Sequence, residues 1–292
     1  PAAVRRRPSL RPAGAAPLLL PLRLDREIPA EGPPLRSFCE MPDTGLMCSV
    51  REHAGERVKL LVMGNRANGD HQHEDKGSFV LEFAGDSLAL DFGVLDYANP
   101  VTDLLKQAQR HCMLTPWNET ERPHPRNPIP ADIRPVGTGD ATRFHASMDL
   151  AAGWEGQFAR WMRTWESPHP TQLVITDDWA VVRGRGVIFH WTTRLPIRRE
   201  GDMIVIEGAK ARATIAIPAG VEVAIEELPL QDPRRASQET VYHGASNRRQ
   251  DTIRPGEGSL FGWAHAPTQP RFTFRQAGTS GTLRVEVTLA LK

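Results

Sequence analysis

Apolar and polar residues alternate along most of the chain from residue 35 onward. Beyond residue 140 the alternating segments recur about every ten residues, with Gly, Pro and Asp between them. This spacing is typical of an antiparallel sandwich or barrel, because alternate residues of a strand face the core. The pattern therefore predicts an all-β fold, either an antiparallel sandwich or a barrel.

The predicted strands follow from these segments. Before residue 100 they cover residues 35–39, 45–51, 57–63, 78–83 and 88–92, with a turn over residues 84–87 that joins the last two in a hairpin. Beyond residue 140 they cover residues 142–150, 157–165, 173–176, 180–185, 187–192, 203–207, 211–217, 221–228, 259–265, 271–276 and 282–291. Aromatic residues favour strands, so four tryptophans are predicted to pack in the core: Trp161, Trp165, Trp179 and Trp191.

Three segments depart from the β pattern. Thr102 can cap one short helix over residues 103–109, which are good helix formers. The proline-rich residues 116–135 predict a long surface loop. Residues 1–34 are rich in Pro, Ala and Arg and predict a linker or arm. The expected division is a linker over residues 1–34 and a β-sandwich domain over residues 35–292.

Composition narrows the classes of partner. A formal net charge of +1 gives no strong electrostatic preference, although the dispersed arginine pairs leave binding to an acidic polymer open. The sequence has no aromatic-interleaved basic motif and no zinc-finger spacing, so we expect no nucleic-acid partner. It has no run of about eighteen apolar residues, so we expect no membrane span.

The candidate chemistry lies between residues 64 and 111. His71 and His73 stand two positions apart, so in an extended chain they share one face. The predicted hairpin brings Asp91 back towards them, and His111 opens a further apolar segment. Two imidazoles and a carboxylate can bind zinc or a similar divalent ion and leave a coordination position for another group. Surface or hydrogen-bonded histidines are the other interpretation of this spacing.

Two metal-binding families share part of this pattern. Metallo-β-lactamase-like hydrolases carry His-x-His-x-Asp-His, and here Lys76 stands where the last histidine is expected. Cupins carry a glutamate a few residues after His-x-His, where this chain has Gly77 and Ser78. A metal-dependent hydrolase or oxygenase that uses these residues is therefore one functional hypothesis.

A third match extends over a longer stretch. In order, the matching residues are His71-Gln-His73-Glu-Asp75-Lys76-Gly77-Ser78-Phe79, Gly85, Asp91-Phe92-Gly93, Tyr97 and His111. This order resembles the heparinase II/III-like C-terminal β domain of polysaccharide lyases, the group that includes heparinase II and oligoalginate lyases. The β-rich remainder of the chain fits the same domain, so the resemblance implies a large antiparallel β-sandwich with one short helix.

The resemblance implies a metal site and roles for single residues. It implies that His73, Asp91 and His111 bind Zn²⁺, or another divalent ion, and that the metal is mainly structural. His71 would face the substrate and help to neutralise a uronate carboxylate. Tyr97 stands close to Asp91 in the sequence and is the candidate catalytic proton donor. The neighbouring Asp75 and Ser78 are expected to make loop hydrogen bonds beside the ligands.

The resemblance also implies a reaction and its partners. Lyases of this group cleave acidic, uronate-containing polysaccharides or oligosaccharides by β-elimination. In the family the main proton-abstracting residues belong to a helical toroid domain, which is missing from this sequence. We therefore expect the chain to act with a helical toroid domain or partner chain, as the C-terminal part of a larger enzyme. A periplasmic or secreted location is expected, and a cytoplasmic one stays open.

A non-enzymatic function is the remaining hypothesis. A metal-stabilised β-sandwich could bind carbohydrate, or pack against a neighbouring domain, without cleaving anything. This hypothesis predicts binding without product and a lower melting temperature after chelation.

Overall fold

The computed structural model describes residues 36–67, 72–93, 104–118, 131–229 and 268–292. Nearly all regular structure in these ranges is β-strand, which confirms the predicted all-β class. The strand Ser280–Leu291 shows why the pattern works. Its apolar positions, such as Val285 and Val287, are buried, while the residues between them face solvent.

The described residues form seventeen strands, which we number in chain order. They are β1 (Phe38–Met41), β2 (Leu46–His53), β3 (Glu56–Met63), β4 (Phe79–Phe83), β5 (Asp86–Ala89), β6 (Leu114–Pro116), β7 (Val136–Gly139), β8 (Phe144–Asp149), β9 (Phe158–His169), β10 (Gln172–Val181), β11 (Gly186–Thr192), β12 (Ile197–Glu200), β13 (Met203–Glu207), β14 (Ala211–Ala216), β15 (Glu222–Pro229), β16 (Thr268–Ala277) and β17 (Ser280–Leu291). They make three antiparallel sheets, with the orders β1-β2-β3-β4-β5, β12-β13-β14-β17-β10-β9-β8-β7 and β15-β16-β11-β6.

One hydrophobic core joins the three sheets in a sandwich-like arrangement. Phe79 of β4 meets Trp191 of β11 edge to face, with ring centroids 5.1 Å apart. Phe38 of β1 packs against Phe144 of β8, with centroids 6.2 Å apart. The four tryptophans predicted to lie in the core are each 0 % exposed, so that prediction is confirmed: Trp161, Trp165, Trp179 and Trp191.

The hairpin before the site is tighter than predicted. Ala84 and Gly85 both have positive φ, 53° and 88°, and form a two-residue turn typical of β-hairpins. As a result β5 begins directly after Gly85. The predicted strand over residues 88–92 is wrong beyond residue 89, because Leu90 leaves the sheet and its N–H donates to the Thr192 carbonyl oxygen at 2.9 Å.

Strand β10 runs through the strand predicted over residues 173–176 and into the one predicted over residues 180–185. The second prediction is wrong beyond residue 181, because residues 182–185 form the bend before β11. The polar residues between the two predicted strands, Asp177 and Asp178, are what suggested a break. Asp177 is fully buried and pairs with Arg163, whereas Asp178 is half exposed. The polar pair therefore follows the in-and-out alternation of a strand instead of ending it.

Three short strands lie in segments where no strand was predicted: β6, β7 and β12. Each has three or four residues and stands at the edge of its sheet. A short edge strand pairs on one side only and needs little apolar alternation, so its sequence signal is weak.

Helical structure in the described ranges is brief. Leu104 and Leu105 are helical, and a 3₁₀ turn covers Ala108–Arg110. The predicted helix over residues 103–109 is thus interrupted at residue 106, and its first residue lies outside the described residues. A second 3₁₀ turn covers Ala151–Trp154. Among the described residues no helix has the length and apolarity of a membrane span.

Some predictions fall outside the described residues. These are the linker over residues 1–34, the strand over residues 259–265 and most of the loop over residues 116–135. The division into a linker and a domain therefore stays a prediction.

Candidate metal centre

Three irregular segments meet beside the core, and we call them ligand loops 1, 2 and 3. Ligand loop 1 is residues 72–78 before β4, ligand loop 2 is residues 90–93 after β5, and ligand loop 3 is residues 111–113 before β6. Their main-chain polar groups are outside the sheet ladders, so they must find other hydrogen-bond partners.

One candidate ligand comes from each loop: His73, Asp91 and His111. Their ligand atoms all lie within 4.8 Å of one another. The His73 and His111 ring centroids are 5.4 Å apart, and His111 Nδ1 is 3.3 Å from Asp91 Oδ2. His111 is 1 % exposed. The fold thus brings together three side chains that are far apart in the sequence.

The donor atoms suit a divalent ion. His73 Nδ1 and His111 Nε2 are buried and make no hydrogen bond within the described part of the chain, whereas His111 Nδ1 faces the Asp91 carboxylate. Buried polar atoms normally have a partner, and coordination by a metal would supply one. Two imidazole nitrogens and one carboxylate oxygen match a zinc site with three protein ligands and one open position. The cluster could therefore hold a metal ion.

The electrostatics of the three side chains favour a cation between them. Burial, together with the neighbouring His111, lowers the pKa of His73 to about 4, so its imidazole is neutral and able to bind a metal. Burial would raise the pKa of Asp91, but His111 and the Gly93 N–H, 2.7 Å from Oδ1, hold it well below its usual range. Burial would also lower the pKa of His111, but the Asp91 carboxylate raises it. An ionised, largely buried carboxylate is stabilised by a positive charge, whether a proton on His111 or a metal ion.

Asp75 and Ser78 make the hydrogen bonds expected of them in ligand loop 1. The Ser78 N–H donates to the Asp75 carbonyl oxygen at 2.8 Å, and Asn65 Nδ2 lies 3.5 Å from Asp75 Oδ1. Burial raises the pKa of Asp75 to about 6. Ser78 Oγ accepts the N–H of Cys112 at 3.1 Å, which connects ligand loops 1 and 3.

Glu74 makes a second connection between these two loops. Its N–H donates to the Lys106 carbonyl oxygen at 2.9 Å, and its Oε2 accepts the N–H of Ala108 at 3.1 Å. The 3₁₀ turn that leads into His111 is therefore attached to ligand loop 1.

Thr192, the last residue of β11, ties ligand loop 2 to ligand loop 3. Its hydroxyl donates to the Leu90 carbonyl oxygen at 2.7 Å, and its N–H donates to Cys112 Sγ at 3.4 Å. Burial raises the pKa of the Cys112 thiol to about 11, so the sulfur is an uncharged partner in this contact.

Lys76 stands where the hydrolase pattern has a metal-binding histidine, and its side chain makes hydrogen bonds instead. It is 2 % exposed, and its ammonium donates to the carbonyl oxygens of Asn65, Arg66 and Ala131 at 3.3, 2.8 and 3.0 Å. An ammonium held by three carbonyl oxygens cannot serve as a ligand. This arrangement counts against a hydrolase-type metal centre at this position.

The predicted site residues fall into two groups. The structure brings His73, Asp91 and His111 together, whereas His71 and Tyr97 lie outside the described residues, so their roles stay predictions.

Sequence reasoning missed two buried charges beside the site, Arg163 and Asp177. A signal for the first was present, because Arg163 stands at an inward-facing strand position between Trp161 and Trp165. A charged residue between two core positions is expensive to bury and indicates a specific partner.

Comparison with solved structures identifies the fold as that of heparinase-like β domains. The chain matches heparinase III with methylated lysines at a TM-score of 0.61 and 12% identity, covering 89% of this chain and 36% of that chain. It matches a mutant of the heparan sulfate lyase HepC from Pedobacter heparinus at 0.61 and 12% identity, covering 89% and 37%. A further heparinase III structure matches at 0.61 and 11% identity, covering 88% and 37%.

These matches confirm the resemblance at the level of fold. The chain spans little more than a third of the length of the lyases that it matches. No protein-family model matches the sequence, and no curated protein matches it. The chain therefore has the fold of the matched part of these proteins, a heparinase-like β domain.

Proposed function

We propose that this chain is the β-sandwich part of a polysaccharide lyase of the heparinase II/III-like group. Its substrate would be an acidic, uronate-containing polysaccharide or oligosaccharide, cleaved by β-elimination. The observation that carries the proposal is the meeting of His73, Asp91 and His111 in a fold shared with heparinase III and a heparan sulfate lyase.

The proposed metal is Zn²⁺, or another divalent ion, bound by the same three side chains. When bound, it supplies a fixed positive charge and a cross-link between the three ligand loops. His111 is almost fully buried, which suits a structural ion better than one that exchanges ligands with substrate.

The proposed reaction needs a neutralised carboxylate, a base and an acid. The base removes the proton beside the uronate carboxylate, the electron pair forms a carbon–carbon double bond, and the glycosidic carbon–oxygen bond breaks. The acid then protonates the departing oxygen. Within this chain His71 is proposed to neutralise the carboxylate, which makes the adjacent proton easier to remove, and Tyr97 to donate the proton.

The base is proposed to come from a helical toroid domain or partner chain. A complete active site would then form between that partner and this β domain. A periplasmic or secreted location accompanies this proposal and is likewise untested.

The direct test is an elimination assay on the longer natural protein, or on this chain combined with its helical partner. Candidate substrates are alginate, heparan sulfate and hyaluronan, and the ultraviolet absorbance of the unsaturated uronate product is followed. We expect absorbance to rise on at least one polymer and to be lost in His111→Ala, while His145→Ala, a change at an exposed histidine of β8, leaves the rate unchanged. No product from any polyuronate with the complete protein would overturn the proposal.

The second candidate is a non-catalytic, metal-stabilised carbohydrate-binding domain. The burial of His111 and the connections made by Ser78, Glu74 and Thr192 favour it, because they describe a rigid, structural centre. Binding of a polyuronate without any unsaturated product would favour this function over the lyase.

A further inference from the structure

The core contains a fully buried ion pair, Arg163 of β9 with Asp177 of β10, and both side chains are 0 % exposed. Two parallel hydrogen bonds join them, Nε to Oδ1 at 2.6 Å and Nη2 to Oδ2 at 2.7 Å. The indole N–H of Trp161 also donates to Asp177 Oδ1 at 2.7 Å. Burying two charges costs much of what their attraction returns, so stability alone is a weak reason for such a pair.

The remaining terminal nitrogen of Arg163 reaches the candidate metal centre. Nη1 donates to the carbonyl oxygen of Gly77 at 2.7 Å and lies 3.3 Å from that of Cys112, to which it also donates. Gly77 belongs to ligand loop 1, four residues after His73, and Cys112 directly follows His111 in ligand loop 3. One nitrogen therefore joins the two loops that carry the two histidines.

Residues of the core, namely Asp177 and three aromatic side chains, fix the position of Nη1. The guanidinium is planar, so the two bonds to Asp177 determine where Nη1 points. The rings of Trp161, Trp165 and Phe189 surround the guanidinium, with centroids 5.4, 5.7 and 5.4 Å from its central carbon. The eight-stranded sheet thus holds a rigid donor against two otherwise irregular segments.

We infer that Arg163, oriented by Asp177, is a positioning residue that sets the separation of His73 and His111 for metal binding. It acts through the carbonyl oxygens of Gly77 and Cys112. The inference rests on the proposed metal site. Groups that hydrogen-bond directly to metal ligands typically contribute about 10- to 100-fold in metal affinity, and we expect an effect of the same order from Arg163.

The test compares zinc affinity in wild type and Arg163→Lys, measured on metal-free protein by competition with a chromophoric chelator. Lysine keeps the charge but lacks the planar fork, so it cannot hold Asp177 and both carbonyl oxygens in the same geometry. We expect affinity to fall about 10- to 100-fold. The matched control is Arg160→Lys, which alters the exposed Arg160–Asp178 pair on the same two strands and should leave zinc affinity unchanged.

Two further variants separate positioning from general destabilisation. Arg163→Met combined with Asp177→Leu removes both charges together, so neither is left buried and unpaired, and the variant should fold while binding zinc more weakly. Ile206→Ala creates a cavity in β13, which two strands separate from β10, and should lower the melting temperature with little change in zinc affinity.

The outcomes are distinguishable. A folded Arg163 variant with wild-type zinc affinity, or an equal loss of affinity in Ile206→Ala, would overturn the positioning role and leave the metal site standing. A wild-type protein that binds no zinc or other divalent ion would overturn the proposed metal site itself.

Discussion

The sandwich core and the three ligand loops are held together in different ways. In β9, β10 and β17 the sheet ladder satisfies the main chain, and apolar side chains fill the interior. In the ligand loops main-chain hydrogen bonds are fewer, and several main-chain groups bond instead to single side chains, namely those of Ser78, Thr192 and Arg163. The core can therefore lose a polar contact and keep its shape, whereas the loops should lose their ligand geometry when one such contact is removed.

The largest expected change in the free energy of unfolding comes from a substitution in the sandwich core. Trp161→Ala removes a fully buried ring and the indole N–H bound to Asp177, so we expect about 3–5 kcal/mol lower free energy of unfolding. Urea denaturation measures it. The control is Met162→Ala, at a neighbouring position that is 38 % exposed, with an expected change within about 0.5 kcal/mol. Equal losses in the two variants would show that Trp161 is not a core residue.

Metal removal should act on the ligand loops. Because a metal that binds only the folded state stabilises it by mass action, zinc at about 100 times its dissociation constant should contribute about 2.7 kcal/mol. Thermal unfolding with and without a chelator measures this as a drop in melting temperature. His111→Ala should show no response to the chelator. A wild type that is equally insensitive would argue against a stabilising ion.

A smaller effect is expected from one connection between the loops. Ser78→Ala leaves the buried N–H of Cys112 without its acceptor, which should cost about 1–3 kcal/mol in the free energy of unfolding and also weaken zinc binding. Urea denaturation and zinc titration measure the two effects. The control is Ser147→Ala, at a half-buried position of β8, which should leave both the free energy of unfolding and the zinc affinity nearly unchanged. A Ser78→Ala protein with wild-type values would show that the loops do not need this connection.

The smallest expected change in stability concerns His190, which lies between the sandwich core and the ligand loops. The main-chain N–H of His190 donates to the Met113 carbonyl oxygen. Burial, with Arg271 nearby, holds the pKa of its imidazole well below the usual value. The folded state therefore keeps His190 neutral, while the unfolded chain takes up a proton below about pH 6.5. Stability should fall as pH drops through that value, by about 1 kcal/mol from about pH 7 to about pH 5.5 relative to His190→Gln. Denaturant unfolding at the two pH values measures the difference. The same pH dependence in both proteins would show that His190 does not resist protonation.

Much of the fold could be predicted because its strands alternate regularly. The alternation in β17 and the four core tryptophans predict an antiparallel β fold, and the family resemblance adds that this fold is a sandwich. The errors arise where another interaction overrides the pattern. The Ala84–Gly85 turn shifts β5, and the partner Arg163 allows Asp177 to remain inside a strand. Three edge strands are too short and too one-sided to leave a clear signal.

The candidate site was predictable in part. The order of His73, Asp91 and His111 along the chain resembles a known family pattern, and the three side chains do meet. The residues that hold them were not predictable from spacing, because Arg163 and Thr192 belong to strands far along the chain. Only the cost of placing Arg163 between two core tryptophans indicated that it had a partner.

The central claim is that His73, Asp91 and His111 bind one divalent ion. Elemental analysis of purified protein, compared with the variant that carries His73→Ala, Asp91→Ala and His111→Ala, tests it most directly. The claim predicts one zinc or similar divalent ion per wild-type chain and none in the folded triple variant. A wild-type protein without stoichiometric metal, or equal metal in both proteins, would contradict it.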